Sequence, residues 1–162
     1  MKNSNDEIDL FAESETVQWE RVLLRLLASP RPRREAERRL REKNCPEETA
    51  QELLDRYEEV GLIDDRAYAV LFAEGKKNWG ARRIRDELRF RGVSRDDIDA
   101  ALEECCDDEE ERAYRLLRQW ERIPGMTEQK LDGRLRRRGF SSSSVRRAFE
   151  RLSEEIEEET QD

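Results

Sequence analysis

The sequence predicts an all-α protein, an elongated tandem array of three three-helix units with nine helices in total. Three stretches of seven residues, 38–44, 86–92 and 133–139, have similar sequences. Their leucines, Leu40, Leu88 and Leu135, are 48 and 47 residues apart. No segment alternates β-branched and polar residues as a half-buried strand does. A period of this length is typical of stacked units that bury their apolar faces against each other. It favours an extended interaction surface over a pocket.

The first unit is predicted to span residues 17–63. Apolar residues recur at helical spacing in a first helix that contains Trp19 and ends before Pro30. Basic and apolar residues then predict a second helix over residues 31–43. A third helix is predicted over residues 46–59, and a glycine follows it.

The second unit is predicted to span residues 64–106. Asp64-Asp65 stands directly before an apolar helix, where an acidic residue caps the first backbone amides. Trp79-Gly80 turns the chain into a second helix over residues 81–91. Ser94 is the predicted cap of the third helix, whose first turn is acidic.

The third unit is predicted to span residues 107–153. Its first helix contains Trp120 and ends at Pro124, which is followed by glycine. Thr127 caps the second helix, and the serine run 141–144 leads into the third.

The residue that follows each second helix is predicted to adopt a left-handed conformation. The three residues are Asn44, Gly92 and Gly139, each four positions after the leucine of its repeat. Glycine adopts this conformation without strain, and asparagine is the next best residue there.

Charged residues make up 44% of the chain and hydrophobic ones 35%, so each unit must have a slim core of its own. The net charge of −8 is carried by two segments that we predict to be acidic tails, a mobile one at 1–16 and another at 154–162. Residues 17–153 sum to +2. No apolar stretch is long enough to span a membrane, and no secretory signal begins the chain, so we expect a cytoplasmic protein without membrane contact.

The residue inventory predicts no enzyme, no cofactor and no metal site. The chain has no histidine, which excludes Ser-His and Cys-His nucleophile pairs and removes a usual zinc ligand. Cys45, Cys105 and Cys106 lack a C-x-x-C spacing, and we expect Cys45 and Cys105 to be core or boundary residues. Asp64-Asp65 is interpreted as a helix cap, because no other acid completes a catalytic or metal site.

Charge differs systematically between second and third helices. The second helices carry +4, +3 and +3, whereas the third helices carry −5, −4 and +2. The arginines could bind phosphates or an acidic protein surface, or they could pair with the neighbouring acidic helices. In the third unit arginines outnumber local acids, which favours a binding patch. The three tryptophans could stack on bases, but their positions favour core packing.

The middle unit contains the most specific motif. Gly61-x-x-Asp64-Asp65-x-x-Tyr68-Ala69 is followed by Trp79-Gly80-x-x-x-Ile84-x-x-x-Leu88, and residues 18–153 as a whole resemble the RecX family of bacterial regulators of the RecA recombinase. The resemblance implies a modular helical protein that binds the groove of the RecA–DNA filament and inhibits strand exchange, ATP hydrolysis and coprotease activity. It implies a negative regulator of recombination and of the SOS response in DNA repair. Glu74-Gly75 stands where many family members have arginines, so no contact is carried over to that stretch.

We expect a monomer whose partners are the RecA filament and, more weakly, single- and double-stranded DNA. A freestanding DNA-binding protein with helix-turn-helix-like repeats and a helical protein–protein adaptor remain alternatives. The acidic tails are expected to disfavour bare DNA. The predicted partner and DNA contacts are all arginines of the second and third units: Arg82, Arg83, Arg85, Arg89, Arg91, Arg134, Arg136, Arg137, Arg138, Arg146 and Arg147.

Overall fold

The protein is described by a computed structural model that covers residues 4–105 and 108–161. Within these residues the chain forms nine helices and no strand, so the predicted all-α fold with three helices per repeat is confirmed. In chain order they are α1 (Ser4–Leu26), α2 (Arg33–Glu42), α3 (Glu47–Glu59), α4 (Asp65–Glu74), α5 (Ala81–Phe90), α6 (Arg95–Cys105), α7 (Glu109–Trp120), α8 (Glu128–Arg137) and α9 (Ser142–Gln161).

The first and last helices are longer than the sequence predicted. α1 begins at Ser4, whereas we placed its start near residue 17. α9 continues to Gln161 and includes most of the acidic segment 154–162. Acidic residues are favourable in the first turns of a helix, which is compatible with the acidic start of α1. Glutamate is also a good helix former, so the acidic composition of residues 154–161 did not end α9. The three unit boundaries stay a prediction, and Cys106 lies outside the described residues.

The predicted turns after the second helices are confirmed. Asn44, Gly92 and Gly139 have φ angles of 62°, 88° and 87°. The amide of the next residue closes two of these turns, since Cys45 N donates to Leu40 O at 3.0 Å and Phe140 N donates to Leu135 O at 3.3 Å. These bonds satisfy carbonyl groups that the end of a helix leaves without a partner.

The chain divides into two compact units, which we describe separately. The first extends to Tyr68 and includes Arg91–Ser94. Its core is formed by buried residues of α1, α2, α3 and the adjoining turns, with Trp19 packed against it. The buried residues are Leu23, Ala36, Leu40, Cys45, Ala50, Leu53, Leu54, Tyr57 and Ile63. Cys45 is therefore a core residue, as predicted.

The second compact unit contains Ala69–Phe90 and the chain from Arg95 onward. Helices α7 and α9 pack along each other, and α8 contacts both. Trp120 is 7% exposed and belongs to this core, which confirms the packing role that we predicted for it. The buried residues are Ala113, Leu116, Leu117, Trp120, Leu131, Leu135, Phe140, Val145, Ala148 and Leu152.

Two predicted caps are present. Ala67 N donates to Asp64 Oδ1 at 2.9 Å at the start of α4. Lys130 N donates to Thr127 Oγ1 at 3.4 Å at the start of α8. In the described part of the chain, no helix is long and apolar enough to cross a membrane.

Candidate functional site

The start of α5 meets the end of α8 through direct backbone contact. Gly80 N donates to Arg138 O at 2.8 Å, and Arg82 N donates to Gly139 O at 3.3 Å. A Cβ atom on Gly80 would lie 2.2 Å from the carbonyl carbon and oxygen of Gly139. Glycine at position 80 therefore allows the two backbones to touch, and the first turn of α5 lies against the last turn of α8.

This contact brings together cations from different repeats. We define the junction cluster as Lys76, Lys77, Arg82, Arg83, Arg137 and Arg138. One side of it is a pocket of about 440 Å³ that is lined by both lysines, Trp79, Arg138 and the acidic residue Glu74. Arg82 Nη2 donates to Arg136 O at 3.0 Å, and Arg138 Nη1 donates to Asn78 O at 3.3 Å. Neither bond neutralises a cation, because the acceptors are backbone carbonyls.

Tryptophan rings hold part of the junction cluster in place. The guanidinium carbon of Arg83 lies 3.9 Å from the centre of the Trp79 ring, and Lys76 Nζ lies 4.9 Å from the same ring. Arg134 and Arg138 each lie 5.0 Å from the Trp120 ring. Cation–π contacts of this kind position a charge without neutralising it.

No member of the junction cluster forms an ion pair with a carboxylate in residues 15–105 and 108–159. By contrast, most of the other predicted arginines form an ion pair with a carboxylate. The pairs are Arg85 with Asp99 at 3.2 Å, Arg89 with Asp86 at 3.8 Å, Arg136 with Asp132 at 2.7 Å, Arg146 with Glu150 at 3.7 Å and Arg147 with Glu110 at 3.7 Å.

Pairing with acidic helices thus accounts for some of the arginines, as one of our two interpretations held. In the first compact unit, Arg33 pairs with Asp55 and Glu58 of α3, both at 2.6 Å. Arg91 also belongs to that unit and donates to the Tyr68 hydroxyl at 2.9 Å. Most of the predicted site residues therefore separate into ion-paired arginines and those of the junction cluster, whereas Arg91 contacts a tyrosine hydroxyl and Arg134 lies over the Trp120 ring.

Three cations near the junction were absent from the prediction. Lys76 and Lys77 precede Asn78 and Trp79, and two lysines before a basic helix were a signal that could have identified them. Arg112 is only 6% exposed and donates to Trp79 O at 2.9 Å. An arginine near the start of an otherwise ordinary amphipathic helix gives no such signal.

Glu109 joins three helices beneath the junction. Its carboxylate accepts from Ala81 N at 2.8 Å and from the hydroxyls of Ser141 and Ser144, both at 2.7 Å. Burial opposes ionisation of this carboxylate, but the hydrogen bonds from Ser144, Ala81 and Ser141 outweigh burial and lower the pKa of Glu109. Glu109 is therefore ionised at neutral pH and fixes the start of α5 relative to α9.

The chemistry available at the junction is electrostatic. Fixed cations without carboxylate partners bind phosphates or acidic protein surfaces. Among the described residues, no group of histidine, cysteine, aspartate and glutamate is arranged to hold a metal ion.

Comparisons with a family model and with known proteins indicate the same family. Residues 64–102 match the family model of the RecX second three-helix domain. Regulatory protein RecX of Streptomyces coelicolor is 36% identical over 150 residues, which cover 86% of this chain and 80% of that protein. Regulatory protein RecX of Thermobifida fusca is 32% identical over 161 residues, covering 93% and 83%.

Two solved structures have the same fold. The crystal structure of a regulatory protein RecX superimposes with a TM-score of 0.80 at 26% identity and covers 93% of this chain and 80% of that one. The crystal structure of RecX from Lactobacillus salivarius gives a TM-score of 0.79 at 20% identity, covering 87% and 98%. The latter likeness concerns the fold alone.

Proposed function

Because the chain belongs to the RecX family of regulatory proteins, we propose that it binds the RecA–DNA filament and lowers the activities of the recombinase. Those activities are strand exchange, ATP hydrolysis and coprotease activity. In this proposal the chain is a monomeric cytoplasmic regulator without a reaction of its own, and it binds bare DNA more weakly than the filament.

The observation that carries the proposal is the junction cluster. Lys76, Arg82, Arg83 and Arg138 are held by backbone carbonyls or tryptophan rings, and none of the six cations forms an ion pair with a carboxylate of residues 15–105 and 108–159. A RecA–DNA filament offers phosphates and protein carboxylates side by side along one track, so a fixed group of cations has acceptors of both kinds. Several weak contacts on one chain add through their high effective concentration.

The test is the rate of ATP hydrolysis by the cognate recombinase on single-stranded DNA. We expect the wild-type chain to slow hydrolysis at micromolar concentration. The double variant R82Q/R137Q removes two cations of the junction cluster, and we expect it to require about tenfold more protein for the same inhibition.

R38Q/R39Q is the matched control, because it removes the same charge from exposed arginines that already neighbour Glu42. We expect it to inhibit like the wild type. The proposal fails if the wild-type chain leaves ATP hydrolysis unchanged. Binding to bare duplex as tight as binding to the filament would instead support the freestanding DNA-binding protein.

A further inference from the structure

Each repeat has a groove between its second and third helices, and the three grooves are lined by equivalent positions. In the first repeat the groove has a volume of about 400 Å³, and in the second about 580 Å³. The groove between α8 and α9 in the third repeat has a volume of about 1070 Å³. The equivalent lining residues are Glu37, Arg85 and Asp132; Arg41, Arg89 and Arg136; Gln51, Asp99 and Arg146.

A polar contact crosses the first two grooves at the same place. In the first repeat, Gln51 Nε2 donates to Glu37 Oε1 at 3.0 Å. In the second, Arg85 Nε lies 3.2 Å from Asp99 Oδ1. Each contact ties the second helix of its repeat to the third helix and spans the groove between them, and both grooves are smaller than the one in the third repeat.

Compared with the second repeat, the third has exchanged the charges at these positions. Asp132 replaces the arginine and Arg146 replaces the aspartate, yet each pairs along its own helix, Asp132 with Arg136 at 2.7 Å and Arg146 with Glu150 at 3.7 Å. The hydrogen bond that the described residues do form across this groove, from Arg136 Nη1 to Ser142 Oγ at 2.7 Å, lies next to the turn. The rest of the groove stays open.

The floor of the open groove is apolar. Val145 and Phe149 lie along it. Phe149 occupies the position of Leu54 and Leu102, which are 0% and 7% exposed, but it is only partly buried against the core. A large ring with an accessible face is available to an apolar group from outside.

Basic and acidic residues on the rim of the groove lie at different distances from the turn that connects α8 and α9. Arg136, Ser142 and Arg146 lie within about a helical turn of the connection between α8 and α9. The acidic residues Glu128, Glu150 and Glu154 lie two turns or more away along the two helices. One end of the groove is therefore basic and the other acidic, with Asp132 between them.

We infer that the α8–α9 groove binds a peptide segment of a protein partner. The segment that fits carries a large apolar side chain for Phe149, a lysine or arginine toward Glu150 and Glu154, and an acidic residue toward Arg136 and Arg146. Nucleic acid does not fit this surface, because four carboxylates line the groove and would repel phosphates. The inference rests on the proposed function, to which it adds the site of protein contact.

Overlapping peptides of about four helical turns that cover the cognate recombinase are the probes, fluorescently labelled and titrated with the full chain in anisotropy measurements. We expect at least one peptide with the stated charge pattern to bind. The variant D132R/R146D copies the pair that spans the second groove and keeps the net charge. It should weaken this binding about tenfold or more, because the crossing pair would occupy the middle of the groove.

E111R/R151E is the matched control, since it exchanges an ion pair between α7 and α9 that lies outside the groove. We expect it to bind the peptide like the wild type. A milder second variant is F149L, which restores the leucine of the other repeats and keeps the core filled. We expect it to weaken binding about threefold while the melting temperature is unchanged.

The inference is overturned if no peptide binds, or if D132R/R146D and F149L bind the peptide as tightly as the wild type does. It is also overturned if D132R/R146D weakens binding to bare DNA as much as binding to peptide. ATP hydrolysis by the filament, measured in parallel, separates the two proposals. If the wild-type chain inhibits hydrolysis but binds no peptide, the proposed function is supported and the inference that the groove binds a peptide is wrong.

Discussion

Position 139 excludes any side chain for two separate reasons. Its φ of 87° lies in the region that residues with a Cβ atom rarely adopt. A Cβ there would also lie 2.5 Å from the backbone nitrogen of Arg83, which cannot move without shifting α5. We expect Gly139→Ala to lower the free energy of unfolding by about 2–4 kcal/mol, measured by urea denaturation.

Gly125 separates these two effects. Its φ of 79° is similar, but nothing lies within 4 Å of a Cβ added to it. We expect Gly125→Ala to lower the free energy of unfolding by only about 1 kcal/mol, the cost of the backbone conformation. Equal losses in the two variants would contradict the view that Gly139 is required by close packing against α5.

Glu109 makes the stability of the second compact unit depend on pH. Because folding lowers the pKa of this carboxylate, its contribution to stability is complete above the pKa of the unfolded chain, about 4.3, and is lost as pH falls through the lower folded value. Glu109→Gln removes the ionisable group and should lower the unfolding free energy by about 1–3 kcal/mol at pH 7.

Urea denaturation at several pH values checks this prediction. The difference between wild type and E109Q should be greatest near neutrality and should shrink below pH about 4. E110Q is a suitable control on the same helix turn. A difference between wild type and E109Q that stays constant from pH 7 to 3 would assign the effect to shape instead of charge.

At the scale of elements, the acidic end of α9 has a specific position. Arg118 of α7 lies 3.0 Å from Glu155 and 3.6 Å from Glu159, and the Tyr114 hydroxyl donates to Glu155. The segment that we predicted as an acidic tail therefore neutralises a cation of the same unit. This arrangement gives a structural basis for the expectation that the segment disfavours bare DNA.

We predict that E154Q/E155Q/E159Q binds bare single-stranded DNA about fivefold more tightly than the wild type, because Arg118 loses its α9 partners and the surface loses three negative charges. E47Q/E48Q/E52Q removes the same charge from α3 and should have a smaller effect. Electrophoretic mobility shifts at constant salt provide the measurement. Equal gains in the two variants would mean that only net charge matters.

Local structure was predictable because its causes lie within a few residues of each other. Asn44 and Gly139 follow their helices at a fixed distance from a buried leucine, and Asp64 and Thr127 stand directly before theirs. The helix ends in the acidic segments were missed, because glutamate is compatible with both helix and solvent-exposed coil. The local sequence pattern of an acidic segment therefore does not show whether it is helix or coil.

A similar carboxylate contact recurs where one repeat follows another, and the sequence did not reveal it. Asp65 at the start of α4 accepts from Arg33 N, the first amide of α2, at 2.7 Å. Glu109 at the start of α7 likewise accepts from Ala81 N, the first amide of α5. In each case the first helix of one repeat caps the second helix of the preceding repeat, over a separation of about 30 residues that periodicity does not report.

At the scale of the whole molecule, a count of charges could locate basic helices but could not choose among their arginines. Arg82 and Arg85 lie on the same helix, yet only Arg85 is opposite an aspartate. That difference depends on the angle between α5 and its neighbours, which no spacing in the sequence encodes. The sequence therefore predicted the candidate site as a region, and our proposal that the junction cluster is the contact within it depends on the ion pairs that the structure shows.

The net charge of −8 would by itself oppose binding to nucleic acid, but electrostatic interactions are screened beyond about 8 Å at physiological salt. The affinity for DNA should then depend on the charge of the junction cluster and not on the net charge of the chain.

For duplex DNA, each phosphate contact increases the magnitude of the negative slope of log affinity against log salt by about 0.9. We predict that K77Q/R82Q/R137Q reduces this slope by about 2.7, whereas R21Q/R38Q/R39Q, with the same net charge, leaves it nearly unchanged. Titrations at several salt concentrations give the slopes, and equal reductions in both variants would show that total charge governs binding and that the junction cluster has no special role.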